Sequence, residues 1–103
     1  MNKRSVIRIL KAAHTLLSRP HSWTKRTSHM FNPKTGNHRY CLVGALREVG
    51  HKYKRENRKT ANDCIREVIN RTSLAIWNDE QGRTRKEVLT ALQNAIDIAR
   101  KSL

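Results

Sequence analysis

The 103 residues suffice for one domain with one hydrophobic core, and they carry 22 Lys or Arg against 8 Asp or Glu, a formal net charge of +14. No apolar run approaches the ~20 residues that span a bilayer, and no export signal is recognised. Two cysteines, Cys41 and Cys64, do not make a disulfide framework. We therefore expect a single cytoplasmic domain over residues 1–103, with reduced thiols and no membrane contact.

The first predicted element is a helix over residues 5–18. Its apolar side chains recur at the spacing of one helical face: Val6, Ile9, Leu10, Ala13, Leu16 and Leu17. Ser5 is the predicted N-cap. Pro20 is predicted to end the helix, because the residue before a proline is pushed out of helical geometry.

From His21 to Arg39 the helical periodicity is absent. A dense turn signal, Asn32–Asn37, lies between Met30-Phe31 and His38-Arg39-Tyr40. This pattern is compatible with a short β-hairpin, although an isolated two-stranded ribbon is marginal unless it packs on something else.

Residues 40–49 predict a second helix with Gly50 as its C-cap, and the small Gly44-Ala45 pair would allow another backbone to approach closely. Residues 51–59 are interpreted as a basic connector. Thr60 and Asp63 resemble a capping pair for a third helix. The apolar stripe of that helix is Ala61, Cys64, Ile65, Val68 and Ile69.

A loop over residues 73–83 and a fourth helix complete the chain. Thr84 and Glu87 fit a capping box, and the predicted buried face comprises Val88, Leu92, Ala95, Ile96, Ala99 and Leu103. The predicted fold class is mainly α. It is a small bundle of about four helices, with the short hairpin as an optional element between helices 1 and 2.

Two sequence motifs occur together in this chain. The first is an aromatic-Cys-x-x-Gly-Ala helix, Tyr40–Leu46, and the second is a Trp-Asn-Asp loop, Ile76–Asp79. The loop leads through Gly82–Thr84 into Glu87, Val88 and Leu92. Together, over roughly residues 23–99, these motifs resemble a family of small actinobacterial and phage domains of unknown function. The resemblance implies a helical fold and a bacterial or phage origin, and it implies no catalytic residues. Tyr40 stands where that family more commonly has Trp, and the basic charge is unusual for the family.

The positive charge is regional, and it is the strongest functional signal. Residues 1–60 hold 15 of the basic side chains and only two acids, and residues 1–47 hold no acid. Phosphate backbones attract such surfaces without regard to sequence, whereas a merely solvated face usually includes acidic side chains. The candidate residues for binding nucleic acid or another polyanion are Lys3, Arg4, Arg8, Lys11, Arg19, Trp23, Lys25, Arg26, Lys34, Arg39, Lys52, Tyr53, Lys54, Arg55, Arg58 and Lys59.

Four aromatic residues lie among these cations: Trp23, Phe31, Tyr40 and Tyr53. Aromatic rings beside phosphate-binding cations can stack bases, but rings beside a few helices more often pack in the core. Trp23 and Tyr53 are the stronger stacking candidates because they lie outside the apolar stripes.

Other constellations favour structural roles. Helices 2 and 3 do not fit a helix-turn-helix, because the predicted connector of roughly ten residues exceeds the usual three or four. His29, His38, Cys41 and Cys64 have weak zinc-ligand spacing, and we expect structural thiols without metal or cofactor. The loop Trp77–Glu80 lacks a nucleophile or paired carboxylate, so we expect Trp77 in the core and no enzyme activity. Asp79 is expected to pair with Arg83 or Arg85.

These observations lead to two functional hypotheses. The first is a small accessory protein, encoded by a phage or mobile element, that binds DNA or RNA through its N-terminal half. The alternative is a phage anti-defence or host-takeover protein that binds an acidic surface of a host protein complex, at its nucleic-acid channel for example. The same cationic surface would serve both.

Overall fold

The computed structural model describes residues 1–102. Five helices and one hairpin follow in this order: α1 (Lys3–Ser18), β1 (His29–Asn32), β2 (Asn37–Tyr40), α2 (Leu42–Gly50), α3 (Arg55–Ile69), α4 (Leu74–Asp79) and α5 (Arg85–Ser102). The mainly α fold with a short antiparallel hairpin between the first two helices is therefore confirmed. None of the helices within residues 1–102 has the length and apolar character that crossing a bilayer requires.

The core forms where α1 packs on α5, with α2 and α3 beside it. The largest completely buried apolar side chains come from all of these helices: Val6, Ile9, Leu10, Leu17, Leu42, Ile65, Val88 and Leu92. Both long amphipathic faces predicted from the sequence are thus buried. Leu103, assigned above to the last of these faces, lies outside the described residues.

Helix α1 begins two residues before the predicted start. The side chain of Asn2, not Ser5, caps it, because Asn2 Oδ1 accepts a hydrogen bond from the backbone amide of Ser5 at 3.1 Å. The end of the helix agrees with the prediction. Arg19 is extended, with ψ 141°, because Pro20 disfavours helical geometry in the residue before it.

The hairpin is anchored at its base, which explains how so short a ribbon persists. Its register pairs His29 with Tyr40 and Asn32 with Asn37. Tyr40 also pairs with the preceding segment: its amide donates to the carbonyl of Ser22 at 2.7 Å, and its carbonyl accepts from the amide of Thr24 at 3.0 Å. An isolated parallel bridge between Trp23 and Tyr40 therefore extends the hydrogen bonding at one end of the two-stranded hairpin.

Helix α2 is shorter than predicted because Tyr40 belongs to β2 and Cys41 is the N-cap. Cys41 Sγ accepts a hydrogen bond from the amide of Gly44 at 3.4 Å. Gly50 is the last helical residue rather than the C-cap. The predicted close approach at Gly44 is confirmed, since a Cβ there would lie 1.8 Å from the carbonyl oxygen of Ser28.

Helix α3 begins at Arg55, so the prediction of a connector over residues 51–59 is wrong. Residues 51–54 alone join α2 to α3. Thr60 is not a cap but lies inside the helix, where its hydroxyl donates to the carbonyl of Glu56 at 2.9 Å. The first turn is held by Asn57, a buried polar residue whose Oδ1 accepts a hydrogen bond from the amide of Asn2 at 2.7 Å.

The predicted loop over residues 73–83 contains a helix, α4. Ser73 caps it by accepting a hydrogen bond from the amide of Ile76 at 3.1 Å. The capping box predicted for α5 is confirmed: Glu87 accepts from the amide of Thr84 at 2.9 Å, and the Thr84 hydroxyl accepts from the amide of Glu87 at 3.2 Å.

Candidate functional site

A groove runs between α2 and α3 and ends at the start of α4. Its volume is about 660 Å³, and its walls come from helices that the four-residue connector joins. Apolar side chains form the floor, namely Ile9, Val43, Leu46 and Leu74, and cations form much of the wall, namely Arg47, Arg55, Arg58, Lys59 and Arg66. No acidic side chain within residues 1–102 lines the groove. We call this feature the basic groove.

Helix periodicity places its cations together. Arg55, Arg58 and Lys59 have spacings of three and four, so they share one face of α3. Arg47 follows Val43 by one turn on α2 and reaches the groove from the opposite wall. The alkyl chain of Arg58 packs beside Gly50, where a Cβ would lie 3.3 Å from its Cγ and Cδ.

The cations of the basic groove fall into two groups by their partners. Lys59 and Arg66 both bind the carboxylate of Asp63, at 3.0 and 2.9 Å. The hydrogen bond from Lys59, followed by that from Arg66, holds the pKa of Asp63 below its ordinary value despite partial desolvation. Within residues 1–102, the side chains of Arg47, Arg55 and Arg58 have neither an ion pair nor a hydrogen bond. These three guanidinium groups are available to a ligand.

The start of α3 has an unfavourable charge arrangement. Positive side chains lie at a helix N-terminus, where the helix dipole favours negative ones. Lys54 is the N-cap and supplies no side-chain hydrogen bond, and Arg55 and Arg58 follow it. Glu56 is the one acid in the first turn, and it already binds the N-terminal ammonium group at 3.5 Å. A bound anion would therefore reduce the repulsion at this end of α3.

A second cationic surface lies elsewhere. Arg4, Arg8 and Lys11 are exposed and lie on the side of α1 opposite its buried residues. They do not line the basic groove. Lys3 instead donates to the carbonyl of Arg100. The sequence grouped these cations with those of α3, but the fold separates them.

The segment between α1 and the hairpin is held against the end of α4 by the side chains of Trp23 and Lys25 and by the backbone of Arg26. Trp23 is half-buried, and its Nε1 donates to Asn78 Oδ1 at 2.7 Å. Lys25 donates to the carbonyl of Glu80 at 2.9 Å, and the amide of Arg26 donates to Asp79 at 2.8 Å. Trp23 therefore fixes the segment between α1 and the hairpin to Asn78 of α4. Among the remaining candidates, Tyr53 is half-buried against the core with the Lys52 ammonium 5.8 Å from its ring centroid, whereas Arg19, Lys34 and Arg39 are exposed.

The segment Trp77–Asp79 is built into the core. Trp77 is 7% exposed and Asn78 is completely buried, as expected for a structural role. The pairing expected for Asp79 is wrong, because Asp79 accepts from the amide of Arg26. Arg83 binds Glu80 and Glu87 and lies over the Trp77 ring at 4.0 Å, while Arg85 donates to carbonyls at the end of α1.

Of the four residues considered for zinc, His29 and His38 lie side by side, but neither cysteine joins them in a metal-binding group. In the part of the chain that the structure describes, no three His, Cys, Asp or Glu side chains form a group that could hold a metal ion. Both thiols are free and buried, and burial raises the pKa of Cys64. The cysteine at position 41 caps α2, and Cys64 belongs to the core.

Fold and groove together define a small, basic, mainly helical protein with a hairpin between its first two helices. The chain belongs to a family of unknown function, DUF6197, whose model matches residues 1–98. No curated protein and no solved structure matches the chain.

Two residues of the basic groove, Arg47 and Arg66, were absent from the sequence-based set. Arg47 could have been found from its position one helical turn after Val43, on the side of α2 that faces α3. Arg66 gave no comparable signal, because the local acids Asp63 and Glu67 made it look like part of a neutralised surface.

Proposed function

We propose that the protein binds nucleic acid and that the basic groove holds the phosphate backbone, in a role of binding without catalysis. The observation that carries this proposal is the convergence of Arg47, Arg55 and Arg58 on one concave surface, where the described residues 1–102 supply neither a side-chain partner for them nor an acid in the lining. Guanidinium groups bind phosphate oxygens in a bidentate manner, and release of the counterions of the backbone adds to the affinity.

The charge arrangement of α3 supports an anionic ligand independently of the groove's shape. Each cation at a helix N-terminus typically costs about 0.3–1 kcal/mol. Lys54, Arg55 and Arg58 all lie near this end of α3, and among residues 1–102 none of the three forms an ion pair. Such an arrangement lowers the stability of the free protein and strengthens binding of phosphate.

The groove also favours contact with the backbone over reading of base sequence by a helix-turn-helix. The four-residue connector removes the length objection raised from the sequence. However, α2 and α3 do not pack extensively on each other, because the basic groove separates them. A helix-turn-helix requires those two helices to pack closely.

The resemblance to small actinobacterial and phage domains supports a bacterial or phage origin, and we propose a cytoplasmic accessory protein of that origin. The alternative partner is an acidic surface of a host protein complex, which the same three guanidinium groups would suit. Salt dependence and oligonucleotide binding distinguish the two partners.

The test compares two triple variants that remove equal charge from different surfaces. The groove variant changes three cations to glutamine: Arg47, Arg55 and Arg58. The matched control changes three exposed cations of α5 to glutamine: Lys86, Arg100 and Lys101. Glutamine is the replacement in both variants because it removes the charge while its helix propensity is close to those of Arg and Lys. Affinity for labelled duplex and single-stranded oligonucleotides is measured across a salt series, and folding is checked by circular dichroism.

The groove variant should bind more weakly and should flatten the plot of log affinity against log salt. The slope should change by about 0.9 per lost contact on duplex and about 0.7 on single strands. The control should keep the wild-type slope. Equal losses in both variants would refute the groove as the site. Absence of any oligonucleotide binding at about 50 mM salt would refute nucleic-acid binding itself and favour the protein partner.

A further inference from the structure

One face of the hairpin carries four rings. Side chains alternate between the faces of a strand, so His29 and Phe31 of β1 share a face, and the register places Tyr40 and His38 directly opposite them. His29, Phe31 and His38 are exposed, and Phe31 is 54% exposed at the end nearer the turn. We call this surface the ring face.

Two of these rings form a flat platform. His29 Nε2 and His38 Nδ1 are 2.7 Å apart, the centroids are 4.9 Å apart, and the ring planes differ by 10°. Stacked rings cannot bring atoms much closer than about 3.5 Å. The two imidazoles therefore lie side by side in nearly one plane, joined by a hydrogen bond, and together present an area closer to that of a purine than of one imidazole.

The platform is supported on one side and extended on another. The Tyr40 ring is stacked on His29 at 4.8 Å and is itself mostly buried. Burial, with a smaller contribution from Glu48, raises the pKa of Tyr40, so its phenol stays neutral. The Phe31 ring lies 4.7 Å from the His38 ring, tilted by 40°. The exposed rings are thus held in place by one another and by the core.

We propose that the ring face stacks the bases of single-stranded nucleic acid. This inference rests on the proposed function and specifies its ligand. Aromatic platforms among cations are the usual means of holding unpaired bases, because every base has a π-face. Lys34 is exposed in the turn of the same hairpin, which contains no acid, whereas Arg39 pairs with Met30 on the face opposite the rings. A duplex would not bind to the ring face in this way, because its bases are already stacked inside the double helix.

The location of the hairpin connects it with the basic groove. Gly44 of α2 contacts the backbone of Ser28 immediately before β1, whereas Val43 and Arg47 of the same helix line the basic groove. The hairpin and the basic groove therefore both border α2. A strand whose phosphates lie in the groove can continue past Arg47 and present its next bases to the hairpin.

The test measures binding of labelled oligothymidylate and oligouridylate of about 15 nucleotides, a length near the upper end for a small single-strand site, and of a duplex of equal length. Phe31→Ala and His38→Ala remove ring area, and Phe31→Tyr keeps it. Met30→Ala is the matched control, because Met30 lies on the opposite face of β1 and is similarly exposed, at 49%. Melting temperatures confirm folding of each variant.

Wild type should bind the single strands more tightly than the duplex. Phe31→Ala and His38→Ala should each lower single-strand affinity by about fivefold or more. Neither should change the salt slope, because stacking releases no counterions. Phe31→Tyr and Met30→Ala should bind like wild type. A 5-iodouracil oligonucleotide irradiated in the complex should crosslink to the hairpin.

Three results would contradict the inference. One of them would also contradict the proposed function. If wild type binds duplex and single strands equally, and Phe31→Ala binds like wild type, the ring face is not a stacking site while the proposed function stands. If wild type binds neither form at about 50 mM salt, both are wrong. A changed salt slope in Phe31→Ala would also count against stacking.

Discussion

Removing the side chain of Asn78, in α4, is expected to destabilise the protein strongly, which would show that the segment Trp77–Asp79 has a structural role. Its side chain is completely buried. Asn78 Oδ1 accepts hydrogen bonds from Trp23 Nε1 at 2.7 Å and from the amide of Leu42 at 3.1 Å, and its Nδ2 donates to the carbonyl of Thr24 at 3.2 Å. Asn78→Ala leaves at least two donors without a partner. Each costs about 1–3 kcal/mol, so we expect a loss of about 2–6 kcal/mol in the free energy of unfolding.

The assay is urea unfolding followed by circular dichroism, with thermal melting alongside. For a chain of this size, about 2 kcal/mol corresponds to a fall of at least 8 °C in melting temperature. Asn94→Ala is the matched control, because Asn94 is exposed on α5 and should change stability by less than about 0.5 kcal/mol. A double-mutant cycle with Trp23→Phe should give a coupling energy of about 0.5–1.5 kcal/mol. An Asn78→Ala variant as stable as the Asn94→Ala control would refute the reasoning.

Three further predictions concern the core, a close contact and pH. Trp77→Ala should cost about 3–5 kcal/mol as a large-to-small core change, and an unchanged melting temperature would contradict its burial. Gly44→Ala should lower the free energy of unfolding by about 1–3 kcal/mol or more, because the added Cβ would clash with the backbone of Ser28. Gly50→Ala, the control, should be neutral or stabilising. Unfolding curves in which Gly50→Ala is the less stable variant would exclude the close approach at Gly44. The capping hydrogen bond from the Thr84 amide holds the pKa of Glu87 below its ordinary value of 4.5, so its stabilisation is present above that pH and is lost as pH falls through the lowered pKa. Glu87→Gln should therefore flatten the acid decline in stability, as urea titrations at several pH values would show, and an unchanged decline would contradict the capping role.

Elements with a long amphipathic face were predictable from the sequence, and those stabilised by polar contacts were not. The stripes of α1 and α5 identified both helices, and Thr84 with Glu87 located the start of α5. The first turn of α3 was missed because its buried residue is Asn57, which forms a hydrogen bond to the distant Asn2. Hydrophobic periodicity does not detect such a contact. Helix α4 was missed because six residues are too few to establish a period.

The candidate site was predictable in composition and not in geometry. Charge counted along the chain identified Arg55 and Arg58 but grouped them with Arg4 and Arg8, which lie on the outer face of α1. Only tertiary packing brings α2 and α3 to opposite walls of one groove and places Arg47 across from α3. Similarly, the hairpin was compatible with the sequence, but the coplanar arrangement of its histidines depends on the strand register.

The packing of α1 on α5 has a consequence for the order in which the chain can fold during synthesis. Helix α1 leaves the ribosome before the other described helices, yet its principal partner is α5, the last of the five in chain order. Arg85, at the start of α5, also donates to the carbonyls of Leu17, Ser18 and Arg19 at the end of α1. Until α5 emerges, the apolar face of α1 stays exposed on a strongly basic segment. Because contacts between distant segments form slowly, completion of the core must await the synthesis of α5. A nascent chain that stops short of α5 would therefore be a substrate for chaperones and proteases rather than a smaller version of the same fold.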